Sequence, residues 1–152
     1  PGGTVLDIGS GAGIPGLPLK IGRPEYEVHL LESKGKKISF LKDIIRKLGL
    51  KGIEACKGRA EQRDNLPTLF HFYDIVTVRA LAPLKKTINI CSFYLEPGGL
   101  LVTFKGLRID REIEESKQLM KELHLNISNK VLYSLPETPG KRCLLILKKG
   151  KA

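Results

Sequence analysis

Apolar runs and amphipathic stretches alternate along this chain, and their spacing predicts alternating strands and helices. Short, nearly continuous apolar runs are typical of strands that are buried on both faces of a sheet. Such runs predict strands over residues 4–9, 26–32, 52–58, 73–80, 100–104, 129–136 and 142–149. Apolar residues at helical spacing predict helices over 34–48, 84–95 and 110–125. A helix is also expected over 14–21, with Pro15 near its first turn, and a short one near 60–70. This alternation favours a parallel sheet with helices on both faces.

The last two predicted strands are separated by only five residues, ETPGK at 137–141. A connection this short joins antiparallel neighbours. The predicted fold class is therefore α/β, with a seven-stranded, mostly parallel sheet that ends in a C-terminal antiparallel hairpin. That is the architecture of Rossmann-like class I methyltransferases. We find no internal repeat or change of composition, so residues 1–152 are expected to form a single domain.

The first predicted strand leads into a glycine-rich stretch, VLDIGSGAGIPG at 5–16. Residues 11–16 satisfy the pattern G-x-G-x-x-G, and Glu32 ends the second strand at the distance, about twenty residues, expected of a ribose-binding acid. Such glycines allow a tight turn and a close approach of ligand to backbone. The pattern alone fits either NAD or S-adenosylmethionine, and glycine-rich turns also occur for packing reasons.

Three features favour S-adenosylmethionine over NAD. Asp7 precedes the glycines, as in the acid-x-Gly-x-Gly-x-Gly string of methyltransferases. An acid there would lie close to the pyrophosphate of NAD, whereas it attracts the cationic methionine part of the methyl donor. The stretch YLEPGGLLV at 94–102 resembles the helix, turn and strand that lead into strand five of many methyltransferases, and the terminal hairpin points the same way. Glu32 is then expected to accept hydrogen bonds from both ribose hydroxyls.

The stretch after the fourth strand, VRALAPL at 78–84, is expected to face the substrate, because ligands bind at the carboxyl ends of the strands in such sheets. It lacks the Asn or Asp, two prolines and aromatic residue that often accompany methylation of exocyclic amines. It also contains no cysteine nucleophile of the kind that carbon-5 pyrimidine methylation needs. What remains is an acceptor whose lone pair carries no proton, such as guanine N7, methylated by direct in-line displacement.

The charge balance favours a polyanionic partner. Lys and Arg number 26 against 16 Asp and Glu, which gives a net charge of +10 and a pI near 9.6. An excess of this size on a small domain is typical of nucleic-acid binding, although a basic solvated surface gives the same balance. Among the basic residues near strand ends, we expect Lys36, Lys37 and Lys105 to contact RNA phosphates.

Several stretches resemble a known family, the bacterial 16S ribosomal RNA guanine-N7 methyltransferases, long called glucose-inhibited division protein B. They are DIGSGAGIPGLPLKIGRPE, SKGKKISFLKDIIRKLGL, GRAE, VRALAPL and FKG. The resemblance runs from about residue 2 to residue 149, and the extension GxPGxPL is not common to methyltransferases at large. It implies an S-adenosylmethionine-dependent enzyme that methylates guanine N7 in the 530 loop region of 16S rRNA, with the small ribosomal subunit as partner.

The resemblance also implies residue roles. Gly9, Ile14, Ala60, Glu61 and Arg79 fall on the family's cofactor-binding positions, and Arg79 is the best candidate for a catalytic residue. The predicted cofactor-binding set, with those from the glycine motif and the acids, is Asp7, Gly9, Gly11, Gly13, Ile14, Glu32, Ala60, Glu61 and Arg79. No metal is expected. Family members carry a helical segment before the first strand that this sequence does not contain, so we expect a truncated core.

Other functions stay open at this point: a small-molecule methyltransferase, an NAD-type enzyme or sensor, and a non-catalytic RNA-binding module that retains the fold.

No run approaches a membrane-spanning length and no signal peptide is present. The three cysteines have no CxxC spacing and are expected to be buried thiols. We therefore expect a cytoplasmic protein with no membrane association and no obligatory protein partner.

Overall fold

The computed structural model describes residues 2–62, 66, 69, 72–79, 82–106 and 108–151. The strands are β1 (Thr4–Ile8), β2 (Glu27–Glu32), β3 (Ile53–Lys57), β4 (Tyr73–Arg79), β5 (Leu95–Lys105), β6 (Leu125–Ser134) and β7 (Lys141–Lys149). The helices are α1 (Gly16–Gly22), α2 (Gly35–Lys47), α3 (Leu84–Cys91) and α4 (Ile109–Glu122), and a short 3-10 helix spans Ser92–Tyr94. Most of the helix predicted near 60–70 lies outside the described residues.

All these strands form one seven-stranded sheet in the order β3-β2-β1-β4-β5-β7-β6. Neighbours from β3 to β5 pair in parallel, and β7 pairs antiparallel with both β5 and β6. The predicted fold class, a mostly parallel sheet with a C-terminal antiparallel hairpin, is confirmed. The strand order reverses between β1 and β4, which makes their carboxyl ends the place where a ligand binds in sheets of this kind.

Two apolar cores cover the two faces of the sheet. Val5 on β1 packs with Leu30 and Leu41 in the core beneath α1 and α2. The next residue, Leu6, belongs to the second core, which α3 and α4 cover. Alternate residues of β1 are thus buried on opposite faces, which explains why this strand reads as a continuous apolar run.

The segment around the Pro97-Gly98-Gly99 stretch differs from the prediction. The predicted helix over 84–95 ends already at Cys91, and β5 starts at Leu95 rather than at residue 100. Tyr73 pairs with Leu95 but Ile75 pairs with Leu100, so the turn residues form a bulge inside β5. A Cβ at Gly99 would lie 3.0 Å from the Tyr73 carbonyl oxygen, and this close approach of two backbones explains the glycine.

Candidate binding site at the carboxyl edge of the sheet

A cavity of about 340 Å³ opens where the carboxyl ends of β1, β2, β3 and β4 meet. Its lining contains five of the residues predicted to bind the cofactor: Gly9, Glu32, Ala60, Glu61 and Arg79. It also contains residues that the sequence reasoning missed, among them Ser33, Gly58 and Arg59. Gly58 and Arg59 belong to the stretch GRAE, whose first two positions were not assigned a role. The strand order explains the assembly, since these residues come from four separate parts of the chain.

The glycines of the first loop are required for different reasons. Gly9 and Gly11 have φ values of +70° and +60°, a left-handed conformation that favours glycine. A Cβ at Gly11 would meet nothing nearer than 3.8 Å, so backbone conformation and not space requires that residue. Gly13, with φ +87°, also needs the space, because a Cβ there would overlap with Leu17. Gly16 is purely a packing glycine: its Cβ would overlap with Leu30 of β2.

Glu32 holds the glycine loop and the start of α2 together. Its Oε2 accepts the N–H of Gly11 at 3.0 Å, and its Oε1 accepts the N–H of Lys34 at 2.9 Å. Burial by itself raises the pKa of Glu32, but these two hydrogen bonds and the charge of Lys37 outweigh it and hold that pKa below its ordinary value. The carboxylate at the edge of the cavity is therefore ionised at neutral pH.

Asp7 lies one layer beneath the loop and is only 1% exposed. Its Oδ1 accepts the hydroxyl of Thr77 at 2.9 Å and its Oδ2 accepts the N–H of Gly16 at 3.1 Å. Burial raises the pKa of Asp7 to about 6, although the hydrogen bonds and the charge of Arg79 act in the opposite direction. Asp7 thus fixes the loop to the start of α1 and to β4, and it directly precedes Ile8, which lines the cavity.

Arg79 joins this cavity to a second one. The second cavity, of about 830 Å³, lies between the ends of β4 and β5 and the β6–β7 hairpin. Arg79 and Ile14 both line it, and Arg79 alone among the predicted cofactor residues lines both cavities. Gly11 and Gly13 belong to the glycine loop, and Asp7 supports that loop. These three residues line neither of the two cavities.

The loop after β3 is held by a contact with the other half of the sheet. Ala60 is buried, and its carbonyl oxygen accepts the hydroxyl of Tyr94 at 2.7 Å. Its neighbour Glu61 is exposed to solvent at the cavity rim. The hydrogen bond fixes the backbone at the place where the sequence predicts a cofactor contact.

The three lysines predicted to bind RNA have different surroundings. Lys36 and Lys37 are exposed in the first turn of α2, and the Lys37 charge reaches Glu32. Lys105 is only 9% exposed in its side chain; its ammonium donates to the Ala82 carbonyl at 2.6 Å and to Glu112 Oε2 at 3.1 Å. The structure therefore gives Lys105 a role in tying β5 to the loop before α3 and to α4, and its contact with RNA stays a prediction.

Three further observations concern the predictions about cysteines, metals and membranes. Cys56, Cys91 and Cys143 are buried, as predicted. Within the described ranges, no group of three or more His, Cys, Asp or Glu side chains is placed to hold a metal ion. No helix in the part of the chain that the structure describes is long and apolar enough to cross a membrane.

The sequence matches a family model described as rRNA small subunit methyltransferase G over residues 2–136. The Ribosomal RNA small subunit methyltransferase G of Lachnoclostridium phytofermentans is 39% identical over 150 residues, which cover 99% of this chain and 62% of that protein. The protein of the same name from Thermotoga sp. (strain RQ2) is 42% identical over 149 residues, 97% of this chain and 63% of the relative. The chain thus spans about three fifths of the length of these curated relatives.

Solved structures resemble the fold at low sequence identity. A methyltransferase from Pyrococcus furiosus has a TM-score of 0.72 at 15% identity, with 98% of this chain and 76% of that chain covered. TYW2 of M. jannaschii, solved in complex with AdoMet, has a TM-score of 0.73 at 14% identity, with 97% and 68% covered. These similarities establish the Rossmann-like class I methyltransferase fold.

Proposed function

Because the chain belongs to the rRNA small subunit methyltransferase G family, we propose that it transfers a methyl group from S-adenosylmethionine to N7 of a guanine in the 530 loop region of 16S rRNA. The observation that carries this proposal is the cavity at the strand-order reversal, which gathers Gly9, Glu32, Ala60, Glu61 and Arg79. The small ribosomal subunit is the proposed partner. The proposed location is the cytoplasm, where that subunit is assembled.

The residues at the cavity fit S-adenosylmethionine. A carboxylate offers about four lone-pair directions, and the N–H groups of Gly11 and Lys34 and, at 3.4 Å, the Ser33 hydroxyl occupy three of those on Glu32. One ribose hydroxyl is proposed to take the remaining direction, and the second to replace the long contact with Ser33. Gly9 lines the cavity and is exposed, so a ligand meets backbone there and no side chain. Ile14, Ala60 and Glu61 are the proposed neighbours of the bound molecule.

The proposed reaction needs positioning more than acid–base chemistry. When bound, S-adenosylmethionine supplies a methyl group on cationic sulfur; the guanine N7 lone pair takes the methyl carbon, the electron pair of the broken S–C bond stays on sulfur, and no proton is removed. The chain's contribution is then to hold two ligands in line. The position of Arg79 in the lining of both cavities supports this role for it. Its guanidinium is proposed to bind the donor's carboxylate.

Asp7 is proposed to act without touching the ligand. Its hydrogen bonds to Gly16 and Thr77 hold the loop, and it is the sequence neighbour of Ile8, which lines the cavity that would receive a cation. Coulomb attraction through a poorly screened interior then favours a positively charged ligand. Asp7→Asn is expected to weaken binding of S-adenosylmethionine more than binding of S-adenosylhomocysteine, whose sulfur is neutral.

Calorimetric titration with S-adenosylhomocysteine, with NAD as the control ligand, tests the cofactor first. Binding of the former alone is expected, and binding of NAD instead would overturn the proposal. Methyl transfer to small subunits and to extracted 16S rRNA tests the reaction. Borohydride reduction followed by aniline cleaves RNA at N7-methylguanine, so a single cleavage in the 530 loop region is expected. Cofactor and RNA binding without transfer would instead indicate a non-catalytic RNA-binding protein.

A further inference from the structure

We propose that the second cavity, between the ends of β4 and β5 and the β6–β7 hairpin, receives the target nucleotide of a single-stranded RNA segment. Phe104 provides the surface on which its base stacks, Tyr133 provides one for the neighbouring base, and Lys141 and Arg142 contact the phosphates. This inference rests on the proposed function and deepens it, because it names the residues that meet the RNA.

The register of four adjacent strands builds the floor of this cavity. Arg79 pairs with Phe104, Phe104 with Leu144, and Leu144 with Val131. Residues paired in this way project their side chains to the same face of a sheet, so these four form one continuous row. All four line the cavity.

A second row extends the floor along the hairpin. Tyr133 pairs with Arg142, and each lies two residues from a member of the first row on its own strand. Both therefore face the same side. The residue between them and the first row on β7, Cys143, faces the other way and is buried in the core under α3 and α4. The aromatic and basic side chains thus lie on the face that these two helices do not cover.

The chemistry of the lining suits a nucleotide. Among the described residues of the cavity, two are aromatic, four are cationic and none is acidic: Phe104 and Tyr133, then Arg79, Lys105, Lys141 and Arg142. Aromatic side chains bind unpaired bases by stacking, whatever their sequence, and cations neutralise the phosphates that flank them. Lys105 is committed to Ala82 and Glu112, which leaves Lys141 and Arg142, both exposed, for the phosphates. The volume of about 830 Å³ lies in the range of ligand pockets, about 300–1,000 Å³.

The position of the cavity links it to the proposed methyl donor. Arg79 belongs to both cavities, and Ile14 of the glycine loop lines the second. A base stacked on Phe104 would therefore approach the donor from across the Arg79 side chain, where the two cavities adjoin.

The test uses a single-stranded RNA oligonucleotide that carries one 2-aminopurine next to a guanine, and the fluorescence of 2-aminopurine is quenched when it stacks. We expect the wild-type chain to bind and quench it. Tyr133→Ala should lower the quenching and weaken binding about tenfold or more, as loss of one stacking partner does. Arg142→Ala should weaken binding and should make the slope of log K against log salt concentration shallower by about one, as loss of one phosphate contact does. The quenching of bound RNA should be retained. Tyr133→Phe should quench like the wild type.

Matched controls come from the same two strands. Leu132→Ala changes a residue of β6 that is 55% exposed and lies between the two rows, on the opposite face. Lys148→Ala removes an exposed charge from β7, far from the cavity. Both should bind and quench like the wild type. Binding that fails in the wild type, quenching that persists in Tyr133→Ala, or an equal loss in either control overturns the proposal.

The outcomes separate this inference from the proposed function. Titration with S-adenosylhomocysteine is made on every variant, and unchanged binding shows that a variant is folded. If Tyr133→Ala does not fold, Arg142→Ala decides, since its side chain is exposed. A wild-type chain that quenches the oligonucleotide but transfers no methyl group would support the nucleotide cavity and contradict the proposed function. Methyl transfer with an unchanged KM for rRNA in both variants would contradict the cavity alone.

Discussion

The cofactor half of the molecule, β1–β3 with α1 and α2, and the hairpin half, β5–β7, present functional groups in different ways. In the cofactor half, Asp7 and Glu32 are 1% and 6% exposed, and both accept backbone N–H groups. In the hairpin half, the candidate groups are exposed or half-buried side chains such as Tyr133 and Arg142. The proposed cofactor site thus depends mainly on backbone conformation, whereas the proposed nucleotide site depends on side chains at the surface.

The comparison is tested most strongly by Gly16→Ala. The added Cβ would overlap with Leu30 and lie 2.9 Å from Asp7 Oδ2, inside a close-packed interface. We expect a loss of about 3 kcal/mol in the free energy of unfolding, at the upper end of overpacking effects, together with loss of cofactor binding. Urea denaturation measures it. Gly22→Ala in the same helix is the control, because its Cβ would meet nothing within 4 Å.

Glu32→Ala tests whether one carboxylate both holds the glycine loop and binds the ligand. The substitution removes the acceptor for Gly11 and Lys34 as well as the proposed ribose contact. Loss of charge-assisted hydrogen bonds is expected to raise the Kd for S-adenosylhomocysteine about a hundredfold, as calorimetry would show. Glu27→Ala, at the exposed start of the same strand, should leave the Kd unaltered. Equal affinity in wild type and Glu32→Ala would contradict the ribose assignment.

Asp7→Asn tests the buried charge through the pH dependence of stability. The folded-state pKa of about 6 lies above the ordinary value of 3.8. Between these values the folded state holds a proton that the unfolded state has released, so this group contributes stability at low pH that is lost as pH rises towards 6. From pH 4 to pH 7 the wild type should lose about 2 kcal/mol relative to Asp7→Asn. Parallel urea-denaturation curves across that range would contradict the assignment.

Lys105→Ala tests whether this lysine stabilises the fold or contacts RNA. The ammonium joins Ala82 to Glu112, and Glu112 Oε2 also accepts the N–H of Leu84 at 2.6 Å. We expect a loss of about 1–2 kcal/mol in the free energy of unfolding, because Glu112 keeps its burial but loses a partner. The salt dependence of RNA binding should change little. A lower salt slope with unaltered stability would instead support the direct contact predicted from the sequence.

The double substitution Lys36→Glu with Lys37→Glu gives the smallest expected effect. Both side chains are exposed at the start of α2, so stability should hardly change. RNA affinity should fall about tenfold and the salt slope should decrease by about two ions, as loss of two phosphate contacts predicts. Lys42→Glu with Lys51→Glu, farther along and beyond the helix, is the matched control. An unaltered salt slope in Lys36→Glu with Lys37→Glu would show that these two lysines do not contact RNA.

The sequence predicts the cofactor half well because its constraints are local. Apolar runs and glycines mark β1 and the loop after it, and the acid at the end of β2 is found by its distance from those glycines. The hairpin itself is predicted from its short connection. The alignment of Phe104 with Leu144 and Val131, by contrast, depends on register between strands that are far apart in sequence, which no short pattern encodes.

Lys105 shows the same limit at a single residue. Its place at a strand end and its charge predict a phosphate contact. Only the packing of α4 against β5 reveals that Glu112 lies beside it. The stretch at 97–99 was misplaced for a related reason, since a proline and two glycines indicate a turn but do not say that the turn lies inside a strand.

The position of β7 has a consequence for how the protein is made. The chain emerges from the ribosome amino end first, and β6 therefore appears before the strand that it pairs with, because β7 lies between β5 and β6. At that stage all strands from β3 to β5, which form the first cavity, have been made. Strand β6 cannot pair until residues 141–149, which form β7, have emerged. A nascent chain would thus possess the proposed site for the methyl donor before it possesses the second cavity.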